Sequence, residues 1–181
     1  MDTFETRRLL VRRLAAEDRA FYCACYTDQI LMHHIGEPLK AEAALRNFNT
    51  VLNTSTAVRL PHYTWVIQEK VSQANIGLLG FAFGQLMPEP MHAELGHIML
   101  AEYQNRGYTT EVIKQMMDIA FGATQLERII VNHANENRAV IRIVQRLCFL
   151  RESGITDKRS TCRWVLSRDR WQALRALANA V

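Results

Sequence analysis

The stretch ELGHIMLAEYQNRGYTTEV (residues 94–112) decides the fold of this chain. Residues 92–101 read as a strand, and a polar turn with one glycine, Gly107, follows. From residue 108 to 121, apolar side chains recur at 112, 113, 116, 117, 119 and 120, the spacing of a helix with one buried face. The first turn of such a helix carries backbone N–H groups without intrahelical partners, and they point back into the turn. There the macrodipole adds partial positive charge, Arg106 adds a full one, and Gly107 lets backbone approach a phosphate closely. The pattern is neither GxxxxGKS/T nor GxGxxG, both of which need more glycines. Local chemistry leaves two readings open, a diphosphate cradle and a plain strand-to-helix turn.

Outward from this stretch the same periodicities organise the chain. RRLLVRRL (residues 7–14) has strand character and precedes AAEDRAFYCACYTD (15–28), where Phe21, Ala24 and Cys25 recur at helical spacing. MHHIGEP (32–38) is a loop broken by Gly36 and Pro38, and residues 41–52 form a second helix. YTWVIQE (63–69) and NIGLLGFAFGQL (75–86) read as a hairpin joined by the polar turn 70–74. Gly77, Gly80 and Gly84 in its second strand point to bulges or close backbone approach. Beyond the Pro88/Pro90 loop and the central stretch, ERIIVNH (127–133) is a short buried strand. NRAVIRIVQRLCF (137–149) is an amphipathic helix aligning Val140, Val144 and Leu147, STCRWVLS (160–167) is a strand, and a helix closes the chain. This β-α-β-α order favours a partly parallel sheet, so the expected class is α/β, in one domain spanning residues 1–181.

Composition narrows the function. With 49% hydrophobic and 22% charged residues, the chain reads as globular rather than disordered or membrane-spanning. The net charge of +4 is modest, and the pairs Arg7-Arg8, Arg12-Arg13 and Lys158-Arg159 read as solvated faces, so nucleic acid is not the expected partner. Cys23, Cys25, Cys148 and Cys162 lack CxxC spacing, which favours reduced thiols and no metal. No apolar signal segment opens the chain, and no run approaches the roughly 18 to 20 apolar residues of a membrane span. A cytoplasmic monomer or homodimer without a membrane partner is expected.

Longer patterns resemble a known family. TRRLLVRRLAAED (residues 6–18) is similar to the TxRLxLRxLxxxD opening of the GCN5-related N-acetyltransferase (GNAT) family, in the branch of the ribosomal-protein N-terminal (RimJ/RimL-like) acetyltransferases. TDQILMHHIGEP (27–38) stands where that branch has its loop between helices. The family's cofactor signature, Q/R-x-x-G-x-G/A followed by Thr-Glu, corresponds to QNRGYT (104–109) with Thr110-Glu111, departing only at Thr109. The family's N-x-x-S and Gly-Phe correspond to Asn137, Val140 and Cys148-Phe149, and CRWVLSRDRW (162–171) resembles the branch's last strand and its closing LxxxEW.

The resemblance implies a single mixed sheet of about six to seven strands flanked by helices. It splays where the central strand, around Ile98, Met99 and Leu100, parts from the next strand near Ile130. Acetyl-CoA is the implied co-substrate: its pantetheine bonds to free backbone of Met99 and its neighbours, and its pyrophosphate to the N–H groups of Gln104, Asn105, Arg106, Gly107, Tyr108 and Thr109, with Asn137 nearby. Thr109 fits if its side chain turns away. The implied reaction is direct acetyl transfer to a primary amine, on a protein N-terminus or a small molecule. Alternatives are a CoA-binding regulatory or partner-binding protein with little catalysis, or a different acyl donor or hydroxyl acceptor.

Transfer needs a neutral amine and a donor for the tetrahedral oxyanion, which the resemblance assigns to the N–H of Met99 or Leu100. Glu94 and His97 are the titratable residues on the central strand, and period 2 points them to opposite faces. Glu94 is the first candidate for a base acting through water, with a surface or structural carboxylate as the competing reading, and His97 reads as packing rather than as a base. His33 and His34 fall in a loop the family uses around the acceptor and would shape an acidic or polar substrate pocket. The acceptor itself is set by the loops 27–39 and 85–92. The two places where the family and branch carry a proton donor hold Val140 and Val144, so no acid stands in either. A thiol leaving group near pKa 8.5 tolerates that loss. Tyr103, Tyr108 and Cys148 are the alternatives, and Cys148 sits at a helix C-terminus, which does not activate a thiol.

Overall fold

Eight strands meet in one mixed sheet, in a computed structural model that describes residues 2–54, 62–84, 91–152 and 161–179. The strands are β1 (Thr3–Glu5), β2 (Leu9–Arg13), β3 (His62–Glu69), β4 (Asn75–Gly84), β5 (His92–Met99), β6 (Arg128–Ala134), β7 (Leu150–Arg151) and β8 (Thr161–Ser167). The helices are α1 (Arg19–Thr27), α2 (Gln29–Met32), α3 (Ala41–Thr54), α4 (Tyr108–Ala123), α5 (Arg138–Arg146) and α6 (Arg168–Asn179). Across the sheet the order is β1-β2-β3-β4-β5-β6-β8-β7. Every pairing is antiparallel except β5 with β6, whose parallel match requires a crossover, and α4 supplies it. The expected six or seven strands become eight because β1 and β7, of three and two residues, are too short to show a period.

Alternation gives the sheet two cores. On one face Leu9, Val11, Ile67, Leu79, Leu95, Ile129 and Val131 meet Val112, Ile113, Met116 and Met117 of α4, Val144 of α5 and Trp171 of α6. On the other, Val66, Leu78 and Ile98 lie under Tyr22 and Cys25 of α1 and Phe48 and Val51 of α3. The expected α1 stripe of Phe21, Ala24 and Cys25 is corrected here: Tyr22 and Cys25 are buried, Phe21 is half-buried and Ala24 is exposed. The Tyr22 ring packs against Tyr26 and Phe48, with centroids 4.6 and 5.4 Å away, and its large apolar area outweighs that of an alanine.

The expected loop over residues 27–39 contains α2, nucleated by Asp28, whose carboxylate accepts from the N–H groups of Ile30 and Leu31 at 2.7 and 2.9 Å. β3 and β4 form the expected hairpin, and their register shifts between Ile67 and Gln68, which face Gly77 and Asn75, so that β4 bulges at Ile76 beside Gly77. There β4 and β5 come so close that a Cβ on Gly77 would stand 2.5 Å from the Ile98 carbonyl oxygen. All four cysteines are free; Cys25 and Cys162 are buried, Cys23 and Cys148 half-buried. The Pro88/Pro90 loop, most of the acceptor loop 85–92 and the Lys158-Arg159 pair lie outside the described residues. Among the described residues no helix is long and apolar enough to cross a membrane, and no three His, Cys, Asp or Glu side chains gather to hold a metal.

Candidate functional site

β5 and β6 share three rungs, His92 with Arg128, Ala93 with Ile129 and Glu94 with Ile130, and then part. β5 continues along β4 to Met99 opposite Gly77, and the Leu100 N–H donates to the Ile76 carbonyl at 2.9 Å. Successive backbone groups of a strand point to opposite sides, so the Met99 N–H, one residue earlier, faces the gap left by β6. Of the two expected oxyanion donors this removes Leu100, whose N–H is already bonded. The Met99 carbonyl accepts from Gln104 Nε2 at 2.9 Å, which ties the following turn to the end of β5.

That turn reaches α4 through two left-handed residues, Asn105 at φ 58° and Gly107 at φ 79°. Asparagine tolerates this region and glycine enters it without steric cost. The first helical bond comes from the Glu111 N–H to the Gly107 carbonyl at 3.1 Å, so the N–H groups of Tyr108, Thr109 and Thr110 have no partner within the helix. The turn is braced by the link between β1 and β2. Thr6 Oγ1 donates to Glu111 Oε1 at 2.6 Å, Arg8 N–H to the same oxygen at 2.9 Å, and Arg8 Nε to Glu111 Oε2 at 2.7 Å. Arg8 Nη1 also reaches the Arg106 carbonyl at 3.0 Å, and the guanidinium lies 4.3 Å from the centre of the Tyr108 ring. Burial alone would raise the Glu111 carboxyl, but the bonds from Thr6 and Arg8 prevail and hold it below its ordinary value. Tyr108 donates its hydroxyl to Glu69.

The gap and the turn open into one cleft of about 770 Å³. Its walls are α2 and the residues after it, including His33 and His34; Ile98 and Met99 at the end of β5; Gln104, Asn105, Gly107, Tyr108 and Thr109 in and after the turn; and Asn137 with the first turns of α5. Asn137 caps α5, its Oδ1 accepting from the Val140 N–H at 3.1 Å. Thr109 lines the cleft in place of the family's glycine or alanine. His33 and His34 are both exposed, with ring centres 4.5 Å apart.

Three expected site residues are not brought to the cleft. Leu100 and Arg106 are not among its lining, and the Arg106 guanidinium lies 5.4 Å from the Tyr103 ring centre. Glu94 is exposed and shares a cross-strand row with Ala82 and His62, because β6 still pairs with β5 as far as Glu94 and the split begins beyond it. The titratable side chain at the split is instead His97, expected as packing. It borders the cleft and also a small apolar recess walled by Leu95, Ile113, Val131, Val140 and Val144. Part of the ring reaches the cleft, yet this apolar shell dominates, and burial lowers its pKa to about 4, leaving a neutral imidazole at pH 7. Val140 is half-buried and Val144 buried in the core. Of the alternative proton donors only Tyr103 lines the cleft without a hydrogen bond among the described residues: the Tyr108 hydroxyl is taken by Glu69, and Cys148 lies off the cleft. Sequence reasoning missed the bracing role of Arg8; the only signal was the TRRL pattern itself.

Known proteins resemble this chain in sequence and in fold. Residues 8–149 match a family model described as an acetyltransferase (GNAT) domain. The chain is 25% identical over 153 residues to the uncharacterized N-acetyltransferase YoaA of Bacillus subtilis (strain 168), covering 82% of each chain. Its fold is similar to ribosomal-protein-S5-alanine acetyltransferase from Vibrio fischeri, at a TM-score of 0.75 and 17% identity over 94% of this chain and 99% of that one. It is also similar to spermidine N-acetyltransferase from Vibrio cholerae, solved with CoA and spermine, at a TM-score of 0.75 and 18% identity over 91% and 98% of the two chains.

Proposed function

Because the chain belongs to the GNAT acetyltransferase family, we propose that it transfers an acetyl group from acetyl-CoA directly to a primary amine. The observation that carries this reading is the meeting of two unpaired backbone sets in one cleft: the Met99 N–H at the split, and the N–H groups that open α4. The second set suits a diphosphate, being a helix N-terminus approached through a glycine turn. The first suits the acetyl oxygen, since a preformed N–H stabilises the charge that oxygen gains. CoA, when bound, supplies the activated thioester. The residues that would hold it are Met99 and Ile98 along the pantetheine, Gln104, Asn105, Gly107, Tyr108 and Thr109 at the diphosphate and Asn137 beside them.

His97 stands at the split as a neutral ring able to accept a hydrogen bond from the incoming amine. A group this hard to protonate is a poor base, so the amine must arrive largely neutral. At pH 7.5 roughly a third of α-amino groups but only about 0.1% of lysine amines are neutral, which favours an α-amine acceptor, as in the N-terminal acetyltransferase branch. The test is acetyl-CoA turnover, followed as free thiol, against a panel of α- and ε-amines. Turnover favouring α-amines is expected, and CoA binding without turnover on any amine sinks the enzyme reading. That outcome would support the second reading, a CoA-binding partner protein, which buried apolar Val144 and half-buried Val140 in the acid positions favour.

A further inference from the structure

The first turn of α4 is anchored at two points, Tyr108 and Glu111, which stand at i and i+3 and so share one side of the helix. Glu111 is held by Thr6 and Arg8, as described above. Tyr108 is held from elsewhere: it is buried, and its hydroxyl donates to Oε1 of Glu69, the last residue of β3. Glu69 is not among the residues lining the cleft.

The Glu69 carboxylate is itself set in place. Ser72 Oγ donates to Oε2 at 2.7 Å, which leaves Oε1 to Tyr108. The turn 70–74 closes on the same residue: the Glu69 N–H donates to the Ala74 carbonyl at 2.9 Å, and the Glu69 carbonyl accepts from the Gln73 N–H at 2.8 Å. Gln73 adopts the left-handed region, at φ 59°, to make that closure. Lys70 then ties the hairpin to the other anchor, its Nζ reaching Glu5 Oε2 and the Thr6 carbonyl, both at 2.7 Å. The two anchors of α4 therefore belong to one bonded block, and the unpaired N–H groups of Tyr108, Thr109 and Thr110 lie between or at them.

Charge does not account for Glu69. A carboxylate near a turn that suits an anion repels it, and here Arg106 and Arg8 offset that charge. What Glu69 supplies is an acceptor in a fixed place. Resting on the acetyltransferase reading above, we propose that Glu69 is a positioning residue for the cofactor: through the Tyr108 hydroxyl it fixes the first turn of α4, so that its free N–H groups are set for the diphosphate before CoA arrives. Donors already in place bind more tightly because no ordering is left to be done on binding.

The test compares three variants by CoA titration and by acetyl-CoA turnover. Tyr108→Phe keeps the ring and removes the donor, Glu69→Ala removes the acceptor, and Glu69→Gln keeps an acceptor oxygen without the charge. Tyr108→Phe and Glu69→Ala should each raise the CoA Kd about fivefold, the worth of one hydrogen bond, with kcat at saturating acetyl-CoA changed less than twofold. The double variant should be no weaker than either single one, because both break the same bond. Glu69→Gln should bind CoA within twofold of wild type. S-Acetylpantetheine, which lacks the diphosphate, should be used equally well by wild type and all variants. A lower melting temperature with unchanged CoA Kd would show a bond that serves stability alone and would overturn the proposal. So would Glu69→Gln binding as weakly as Glu69→Ala, additive losses in the double variant, or an equal loss with S-acetylpantetheine. Should Glu69→Ala fail to fold, Tyr108→Phe and Glu69→Gln decide. If CoA binds but no amine turns over, the enzyme reading falls while the Kd comparison still decides this one; if wild type does not bind CoA, both fall.

Discussion

Replacing His97 with leucine should remove a specific part of this protein's sensitivity to acid. The imidazole sits among Leu95, Ile113, Val131, Val140 and Val144, and burial holds its pKa at about 4, against about 6.5 when free. Between those values the unfolded chain binds a proton that the folded chain does not, so stability is full above pH 6.5 and is lost as pH falls toward 4. At about 1.36 kcal/mol per pH unit for one proton, the loss from pH 7.5 to pH 4 comes to ~3 kcal/mol, a large share of a typical 5–15 kcal/mol. His62 and His133 are also lowered, chiefly by burial, and add to the wild-type slope in the same direction. The difference between wild type and His97→Leu isolates the one ring. Urea unfolding at pH 7.5, 6, 5 and 4 supplies it: the variant should gain ~3 kcal/mol relative to wild type across the range. A difference constant with pH would show an ordinarily hydrated imidazole, and would refute the apolar shell on which the neutral His97 of the proposed reaction depends.

Gly77→Ala should place a methyl 2.5 Å from the Ile98 carbonyl, a backbone atom that cannot swing aside. A cost of about 1–3 kcal/mol follows, a melting point lower by about 2–4 °C per kcal/mol, and weaker CoA binding because the displaced residues form the cleft edge; calorimetry of apo and CoA-bound protein checks both. Arg8→Ala should remove the guanidinium from Glu111 Oε2 and from the Arg106 carbonyl, leaving Glu111 the bonds from Thr6 and from the backbone N–H of residue 8. Since Arg8 is one-third exposed, about 1 kcal/mol and a roughly fivefold rise in the CoA Kd are expected, and an unchanged Kd would mean the turn holds itself. Gly107→Ala must keep φ near +79°, which costs a non-glycine residue about 1–2 kcal/mol. CoA affinity should fall with it, and a variant binding as tightly as wild type would place the diphosphate elsewhere.

How far the sequence could be read depended on the range of the interaction involved. The α4 face of Val112, Ile113, Met116 and Met117, the β3–β4 hairpin and the glycine at the head of α4 follow from periods and backbone preferences that act within a few residues, and they stand where expected. β1 and β7 were too short to carry a period, and α2 rests on one capping carboxylate, Asp28. The α1 stripe was misjudged by one position because spacing alone does not say that Tyr22 will find Phe48 across the helix pair.

For the site, the sequence by itself determined that a strand, a glycine turn and a helix would present unpaired N–H groups, because those depend on covalent geometry and on neighbours in the chain. Period 2 also determined that Glu94 and His97 face opposite ways. Only the tertiary structure decided which of them borders the cleft, since that depends on β6 leaving β5 after Glu94, a match between strands more than thirty residues apart. The same holds for Arg8, which braces a carboxylate 103 residues away. Such pairings are set by which surfaces pack together, and no local pattern contains that information.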